Sequence, residues 1–487
     1  MAKAIMIQGT MSNVGKSYVT AGLLRVFMQD GLKAAPFKSQ NMALNSFVTN
    51  EGLEMGRAQV MQAEAAGIEP SADMNPILLK PTTDVGSQVI VNGKAIGNMR
   101  AVDYFKHKQS LVPQIMSAYN RLSEKYDVIV IEGAGSPAEI NLKKNDIVNM
   151  GMAQMAKSPV LLVGDIDRGG VFAQLTGTYM LLEENEKKYI KGFVMNKFRG
   201  DKTILEPGIK MLEDICPVPV TGILPYTPLD IDDEDSLSDR LGKKQTDEKN
   251  IFICVIKLPR ISNFTDFNML DSVDGCEVRY VDNGKELWDA DCIIIPGTKN
   301  TIADMEWLKE RKLDRMIRLM NNEGCPVVGI CGGFQMLGRK ITDDMGVEGE
   351  IKNINGLGLI DAETVMQSEK TCINGSKTLD GISGLFSVLN GSMAKGYEIH
   401  AGVTKVGDKE VICGGKNNVF GTYLHGLFDK KEFLNKFLNV LSAETGKKIS
   451  ADFSYETVKE REYDKLADMV RENMDMQAVY RILGKGM

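Results

Sequence analysis

Short apolar runs alternate with longer segments of helical spacing along the first half of the chain. Runs of four or five apolar residues are typical of buried strands, and a helix between successive strands keeps them parallel. We therefore predict an α/β domain in which a parallel sheet carries helices on both faces. The predicted strands are Ala4–Gln8, Val128–Ile131, Val160–Val163 and Gly192–Met195, and the predicted helices are Lys16–Gln29, Tyr104–Lys125 and Leu205–Ile215.

A charged and polar stretch interrupts this pattern. It begins with an acidic run at residues 230–235 and ends near Asn250, and such runs are typical of solvated linkers. A second alternating series follows, with a helical, charged segment after Thr445. Its predicted strands are Ile251–Ile256, Cys292–Ile295 and Pro326–Ile330, and a helical pattern covers Ile302–Met320. The predicted units are a first domain at 1–235, a linker at 236–250, a second domain at 251–445 and a helical tail at 446–487.

Composition narrows the class of protein. The 487 residues are 43% hydrophobic and 25% charged with a net charge of −7, as expected of a globular protein that does not bind nucleic acid, since phosphate neutralisation needs clustered Lys and Arg. No apolar run approaches the ~20 residues that span a bilayer, and the first residues turn polar too soon for a secretory signal, so we expect a cytoplasmic protein without a membrane partner. Eight cysteines without a Cys-x-x-Cys pair, and only three histidines, argue against a structural zinc site.

A glycine-rich loop follows the first predicted strand and precedes the first predicted helix, where a phosphate-binding loop must lie. In such a loop, backbone N–H groups and the helix N-terminus face the phosphates, Lys16 reaches the β- and γ-phosphate oxygens, and Ser17 offers a ligand to Mg²⁺. The loop is a variant, because Thr10 occupies the place of the first glycine and Gly9 lies one residue early. The predicted ATP-binding residues of the loop are Gly9, Thr10, Ser12, Asn13, Val14, Gly15, Lys16 and Ser17.

A second glycine-rich turn follows the predicted strand Pro326–Ile330. Cys331 ends that strand, and the two glycines after it allow a sharp turn into a helix. The turn presents the thiol at a helix N-terminus, where the helix dipole favours the thiolate, and it places the N–H of Gly332 to stabilise an oxyanion. A thiolate nucleophile needs a base, and two histidines lie downstream, His400 and His425.

The first loop resembles that of dethiobiotin synthetase and its relatives, which use ATP to activate a carboxylate. The resemblance implies that Mg²⁺ is bound by Ser17 and by an acid at the end of a later strand. Glu132 lies at that place after Val128–Ile131, and the carboxyl end of a parallel strand is well placed to hold a cation at the ligand edge of the sheet. The resemblance also implies that Asn196, which follows Gly192–Met195, reads the adenine.

The second turn resembles the nucleophile elbow of class I, or triad-type, glutamine amidotransferases. The resemblance implies that Cys331 attacks the glutamine carboxamide and that His425, late in the chain, relays protons. It also implies a second oxyanion donor at Gly297, in a glycine turn one strand earlier. Many members carry a glutamate two residues after the histidine, where this chain has Leu427, so what orients His425 is open. For His400, a contact with substrate and a structural role are both open.

The order of the two motifs resembles that of the glutamine-dependent corrinoid amidases. This family joins a P-loop synthetase domain to a flavodoxin-like glutamine amidotransferase domain and forms amides with ATP, Mg²⁺ and L-glutamine. One member amidates the b, d, e and g carboxylates of adenosylcobyrinic acid a,c-diamide, and three segments resemble that member: Phe37–Ser46, Pro259–Phe267 and Pro296–Asp304. The candidate substrate residues in the first segment are Lys38, Gln40 and Asn41.

Three other readings compete. The related corrinoid amidase that makes the a,c-diamide itself would take unamidated cobyrinic acid. CTP synthase shares the domain order but normally keeps the glutamate that is replaced here by Leu427. A P-loop switch protein of the partition type has a similar loop but needs no cysteine elbow, and it usually carries a further lysine where this chain has Thr10 and Met11. Oligomeric state is open, with a homo-oligomer as one alternative.

Overall fold

The computed structural model describes residues 2–83, 86–229, 231, 250–447, 449 and 455–484. The first part of the chain forms the predicted parallel sheet of six strands, in the order β12-β11-β10-β1-β9-β2. The strands are β1 (Lys3–Gly9), β2 (Ala34–Phe37), β9 (Val128–Glu132), β10 (Val160–Asp165), β11 (Ile190–Phe198) and β12 (Val220–Pro225). Strand order reverses at β1, so the crevice at its carboxyl end is where such sheets bind ligands.

Helices cover both faces of this sheet. The predicted helix Tyr104–Lys125 is instead two helices joined by a 3₁₀ turn at Lys108–Leu111. Pro113 explains the break, because proline lacks an N–H and is accommodated in the first turn of a new helix. The helices are α1 (Lys16–Gln29), α2 (Arg57–Ala65), α3 (Ala101–His107), α4 (Val112–Lys125), α5 (Met150–Ala156), α6 (Val171–Leu181), α7 (Glu184–Lys187) and α8 (Glu206–Ile215).

Two small sheets between β2 and α3 were not predicted. A four-stranded sheet has the order β3-β6-β7-β8, and a separate hairpin pairs β4 with β5. These strands carry the polar segment that follows β2 to the boundary with the second domain. Their bounds are β3 (Gln40–Met42), β4 (Ser46–Val48), β5 (Glu54–Gly56), β6 (Ile77–Thr83), β7 (Gly86–Val91) and β8 (Lys94–Arg100).

The second part of the chain contains a six-stranded sheet in the order β14-β13-β15-β16-β23-β22. Five strands are parallel in the doubly wound order 2-1-3-4-5, and β22 is antiparallel at the edge. The predicted fold class, a P-loop α/β domain followed by a flavodoxin-like domain, is confirmed. The strands are β13 (Ile251–Ile256), β14 (Cys276–Val281), β15 (Cys292–Ile295), β16 (Val327–Ile330), β22 (Cys413–Lys416) and β23 (Val419–Thr422).

A mixed five-stranded sheet, dominated by one long hairpin, lies beside this sheet. The predicted helical pattern over Ile302–Met320 is two helices, because Lys312 adopts a left-handed conformation (φ 59°) between them. The strands are β17 (Lys340–Thr342), β18 (Asn353–Asn355), β19 (Glu363–Thr378), β20 (Met393–Val406) and β21 (Lys409–Glu410). The helices are α9 (Asn268–Asp271), α10 (Thr301–Glu310), α11 (Leu313–Asn322), α12 (Gly332–Leu337) and α13 (Lys431–Thr445).

The C-terminal helices, α14 (Tyr455–Asn473) and α15 (Met476–Ile482), return to the first domain and pack on α1. Contact is close at Gly22, where an added Cβ would lie 2.6 Å from Cγ2 of Val470. Arg25 pairs with Glu460 at 2.7 Å across the same boundary. The tail is therefore part of the hydrophobic core behind the first sheet.

The predicted linker lies outside the described residues, apart from Asn250 at its end. Within the ranges that the structure describes, no helix is both long and apolar enough to cross a bilayer.

Candidate active sites

The phosphate-binding loop is shaped by two left-handed residues. Gly15 caps α1 with φ 90°, and an added Cβ would lie only 2.2 Å from Nδ2 of Asn196, so glycine is required there on both counts. Asn13 has φ 60°, and its carbonyl accepts a hydrogen bond from Nζ of Lys197 at 2.6 Å. Nδ2 of Asn196 donates to the carbonyl of Val14 at 2.8 Å. Asn196 therefore lies against the phosphate-binding loop, and its predicted contact with adenine stays a prediction.

The predicted metal ligands meet beside this loop. Oγ of Ser17 lies 3.0 Å from Oε1 of Glu132. Glu132 is 1% exposed, and its carboxylate also accepts from Nζ of Lys38 at 3.0 Å and from Nε2 of Gln62 at 2.5 Å. Nζ of Lys16 donates to the carbonyl of the loop residue Met11 at 3.2 Å. The structure thus brings together four residues that the sequence singled out: Lys16, Ser17, Lys38 and Glu132.

The donor set fits Mg²⁺, which prefers oxygen ligands and usually binds through one or two protein groups plus phosphates and water. A hydroxyl and a carboxylate from Ser17 and Glu132 supply two such oxygens. In the described part of the chain, no cluster of three or more His, Cys, Asp or Glu side chains could hold a metal. The phosphates of a nucleotide would have to complete the coordination.

The remaining predicted residues of the first site divide into two groups. Gln40 accepts a hydrogen bond from the Tyr104 hydroxyl at 2.6 Å, and Asn41 donates to Oε1 of Gln59 at 3.0 Å. Both amides are therefore bonded within the first domain. At the start of the loop, Oγ1 of Thr10 donates to Gln174, and an added Cβ at Gly9 would meet the Val14 side chain at 2.6 Å. Ser12 is exposed.

The cysteine elbow stores backbone strain. Cys331 lies between β16 and α12 with φ 51° and ψ −107°, a conformation that L-residues rarely adopt. Its N–H donates to the carbonyl of Thr422 on the neighbouring strand at 2.7 Å. An added Cβ at Gly332 would lie 2.7 Å from Cγ2 of Thr298, so the elbow packs directly on the turn that carries Gly297. Of the two predicted oxyanion glycines, Gly332 adjoins Cys331, and an added Cβ at Gly297 would lie 3.1 Å from Cε1 of His425.

His425 is held by a carboxylate that the sequence did not point to. Its Nδ1 lies 2.6 Å from Oδ2 of Asp266, and Oδ1 of Asp266 accepts from the N–H of Gly426 at 3.0 Å. Both side chains are almost fully buried. Burial lowers the pKa of His425, but the Asp266 carboxylate and a hydrogen bond with the Cys331 thiol outweigh it and raise that pKa to about 10. The three side chains thus form a Cys–His–Asp arrangement.

Asp266 orients His425 in place of the glutamate that many class I amidotransferases carry at the position of Leu427. It lies in the turn Phe264–Phe267, in the segment that connects β13 to α9, and is 159 positions from His425 in the chain. Sequence reasoning singled out Pro259–Phe267 only as a family segment. A usable signal existed, because the loop after the first strand of a doubly wound sheet lies at the same carboxyl edge as the elbow.

The other histidine downstream of the elbow, His400, has contacts of its own. The ring of His400 stacks on Tyr423 with centroids 3.7 Å apart. Its Nδ1 lies 2.7 Å from the carbonyl of Gly402, and its Nε2 lies 3.3 Å from Oε2 of Glu398. The thiol of Cys331 approaches the carbonyl of the intervening residue Ile399 at 3.6 Å. Both ring nitrogens of His400 have partners, which favours a structural role.

Family models match both halves of the chain. Residues 5–238 match the CobQ/CobB/MinD/ParA nucleotide binding domain, and residues 252–433 match the CobB/CobQ-like glutamine amidotransferase domain. With the P-loop and the Cys–His–Asp arrangement, these matches define the class: a nucleotide-binding domain joined to a glutamine amidotransferase domain.

The whole chain is also similar to individual enzymes. It is 52% identical over 507 residues to cobyric acid synthase of Ruminiclostridium cellulolyticum, covering 100% of this chain and 98% of that protein. It is 52% identical over 515 residues to that of Lachnoclostridium phytofermentans, covering 100% of both chains. Identity to that of Thermoanaerobacter sp. is 49% over 503 residues, covering 99% of each. The chain belongs to the cobyric acid synthase family, which confirms the predicted resemblance.

Proposed function

We propose that this chain amidates the b, d, e and g carboxylates of adenosylcobyrinic acid a,c-diamide, with ATP as the energy source and L-glutamine as the nitrogen donor. The observation that carries the proposal is the similarity, at 52% identity over the full length, to proteins named cobyric acid synthase. The two candidate sites supply complementary chemistry, since one can release ammonia and the other can activate a carboxylate.

At the second site, the Cys331 thiolate attacks the glutamine carboxamide. The N–H groups of Gly332 and Gly297 stabilise the oxyanion, and protonated His425 gives its proton to the leaving nitrogen, so that ammonia departs and a thioester remains. Water then loses a proton to His425 and hydrolyses the thioester to glutamate, which regenerates the cysteine. Asp266 holds the ring through Nδ1, which leaves the other ring nitrogen to exchange protons with the thiol.

At the first site, the γ-phosphoryl group of ATP is transferred to a corrinoid carboxylate, and ammonia then displaces phosphate from the acyl phosphate to form the amide. The loop N–H groups bind the phosphates, and Lys16 stabilises the charge of the phosphoryl group in flight. When bound by Ser17 and Glu132, Mg²⁺ supplies further neutralisation of phosphate charge. Asn196 contacts the adenine, and Lys38 orients the substrate carboxylate or a phosphate.

The domain boundaries belong to the same proposal: a synthetase domain at 1–235, a linker at 236–250 and an amidotransferase domain at 251–445. Limited proteolysis with mass spectrometry should give a first cut within residues 236–250 and two resistant fragments. The fragment beginning near Ile251 should keep the C-terminal helices. A first cut elsewhere would move the boundary.

The experiment that tests the function supplies the purified protein with glutamine, Mg-ATP and adenosylcobyrinic acid a,c-diamide. Glutamate and ADP are measured, and the corrinoid is followed by mass spectrometry. Stepwise mass changes for four carboxylate-to-amide conversions, with one ADP per conversion, are expected. Unamidated cobyrinic acid is run in parallel. Turnover of that substrate alone would assign the chain to a,c-diamide formation, and ATP hydrolysis without any corrinoid change would overturn amidation altogether.

A further inference from the structure

One polar segment, residues 38–46, reaches from the first site to the second. At its beginning, Nζ of Lys38 pairs with Glu132 at 3.0 Å inside the ATP site. At its end, Oδ1 of Asn45 accepts a hydrogen bond from the N–H of Phe264 at 3.3 Å, in the turn that carries the triad acid. Nine residues therefore link the two centres through the first domain.

Ser46 is bound to the second domain through its backbone. Its N–H donates to Oδ1 of Asn263 at 3.1 Å, and its carbonyl accepts from the Tyr397 hydroxyl at 3.1 Å. Nδ2 of Asn263 in turn donates to the Tyr397 hydroxyl at 3.0 Å. All three residues are buried. The result is a closed ring of three hydrogen bonds across the domain boundary, which fixes the relative positions of its members.

Each partner of Ser46 holds one member of the triad: Asn263 holds the acid, and Tyr397 holds the histidine. Asn263 has φ 53° and accepts, through its carbonyl, a hydrogen bond from the N–H of Asp266 at 3.0 Å. The ring of Tyr397 stacks on His425 with centroids 5.3 Å apart, and the two residues exchange backbone hydrogen bonds at 2.9 and 3.2 Å. Any shift of Ser46 must therefore act on both sides of the Asp266–His425 pair.

The Ser46 end is also fixed by charge. Nζ of Lys80 donates to Oγ of Ser46 at 2.9 Å and pairs with Glu54 at 3.0 Å. Glu54 pairs in addition with Lys370, from the second domain, at 2.6 Å. Glu54 and Lys80 are nearly inaccessible, so breaking their ion pair would leave an uncompensated buried charge. The two domains are thus joined rigidly at this point, so displacement of the segment is passed on rather than absorbed.

We propose that residues 38–46 couple the two sites, with Ser46, Asn263 and Tyr397 acting as positioning residues that align Asp266 and His425 according to the state of the ATP site. The inference rests on the proposed function. Binding of nucleotide and substrate carboxylate changes the partners of Lys38 beside Glu132. The segment transmits that change to the ring around Ser46, so glutamine is hydrolysed when an acceptor for ammonia is present.

The test is Tyr397→Phe, which removes the hydroxyl from the ring of hydrogen bonds and keeps the aromatic face against His425. Glutamine hydrolysis is measured with and without Mg-ATP plus the corrinoid a,c-diamide. The unmodified protein should show at least a tenfold stimulation of kcat. In Tyr397→Phe the stimulation should fall to within twofold of unity with KM for glutamine unchanged, and more glutamate than amide should be released. Tyr480→Phe, which removes a hydroxyl bonded to Asp30, is the matched control and should keep the stimulation.

Asn45→Ala provides a second variant, since it removes the acceptor for Phe264 without changing a residue of the second domain. It should reduce the stimulation in the same direction. Ammonia-driven amidation should be unchanged in both variants, and its presence verifies the proposed function independently. Failure of that activity in the unmodified protein would contradict the proposed function. Full stimulation in both folded variants, or none in the unmodified protein, would overturn the coupling.

Discussion

The two centres differ in how their charged groups are held. In the amidotransferase site, each member has a fixed partner: Asp266 contacts His425 at 2.6 Å, and the backbone itself forces Cys331 into position at φ 51°. In the ATP site, the groups expected to meet phosphates or metal satisfy one another. Glu132 is shared among three donors, and Lys16 bonds to a carbonyl of its own loop.

The amidotransferase site is therefore assembled before its substrate arrives. The ATP site must exchange its internal hydrogen bonds for contacts with its ligands. Preorganised dipoles and charges stabilise a transition state without reorganisation, so removing one member of the thiol site should be severe. At the ATP site, a ligand must replace hydrogen bonds such as that between Lys16 and Met11, so the effect of losing one group is smaller. The predictions below test this contrast.

The largest effect is expected for Cys331→Ala. Removing the nucleophile should reduce glutamine-dependent amidation by on the order of 10⁴-fold or more, while ammonia-dependent amidation continues at the unmodified rate. Product amide is measured with each nitrogen donor. Cys216→Ala, at a buried thiol in the first domain, is the matched control and should keep both activities. Loss of the ammonia-dependent reaction in folded Cys331→Ala would contradict the separation of the sites.

Asp266→Asn should lower glutamine hydrolysis by about 10²- to 10⁴-fold, because an amide neither fixes the same tautomer nor stabilises the imidazolium. Without the carboxylate, the pKa of His425 falls from about 10, so the alkaline limb of kcat/KM for glutamine should move to lower pH. A raised folded-state pKa stabilises the protein fully below the ordinary histidine value of about 6.5, and the stabilisation is lost as pH rises through about 10.

The stability difference between Asp266→Asn and the unmodified protein should therefore be larger at pH 6 than above pH 10, which urea denaturation at each pH would measure. Asp271→Asn provides a control at a neighbouring acid after the same strand. An unshifted alkaline limb in Asp266→Asn would show that this carboxylate does not set the charge of His425.

Lys16→Met should have a smaller effect than Asp266→Asn, and it should impair amidation rather than glutamine hydrolysis. Loss of one cation at the transferred phosphoryl group should reduce amidation by about 10²- to 10³-fold with glutamine and ammonia alike. Glutamine hydrolysis without ATP should remain unchanged, since Lys16 begins α1 of the first domain whereas Cys331 precedes α12 of the second domain. Lys33→Met, at an exposed lysine beyond α1, is the control. A loss confined to the glutamine-driven reaction would contradict the assignment of Lys16 to phosphoryl transfer.

The parallel sheets and the turns after their strands could be predicted because short buried strands leave continuous apolar runs. The helix Lys16–Gln29 was predicted with its observed bounds. The hairpin of Glu363–Thr378 with Met393–Val406 could not be predicted, since the first of these strands is largely polar and only two of its sixteen residues are buried. Such strands are specified by cross-strand pairing rather than by alternation.

Within the sites, the residues of local motifs were predicted. Asp266, which only the tertiary structure brings to His425, was missed. Cys331 and Gly332 adjoin in sequence, whereas Asp266 reaches His425 across 159 positions. The same holds for Ser46, whose contacts with Asn263 span 217 positions. Long-range polar contacts leave no periodic signal, so only the topological rule that strand ends share one edge could have suggested them.

The smallest effect on either chemistry is expected from Leu466→Ala, which tests whether the C-terminal helices belong to the first domain alone. Leu466 is fully buried and lies close to Gly22 of α1, so truncation should destabilise by about 2–5 kcal/mol. If the domains unfold in separate steps, urea denaturation followed by fragment-specific hydrogen exchange should shift only the transition of the first domain. Leu319→Ala, at a residue 41% exposed in the second domain, should shift neither by more than about 1 kcal/mol. An equal shift of both transitions in Leu466→Ala would show that the rigid junction at Glu54 makes the two domains unfold as one unit.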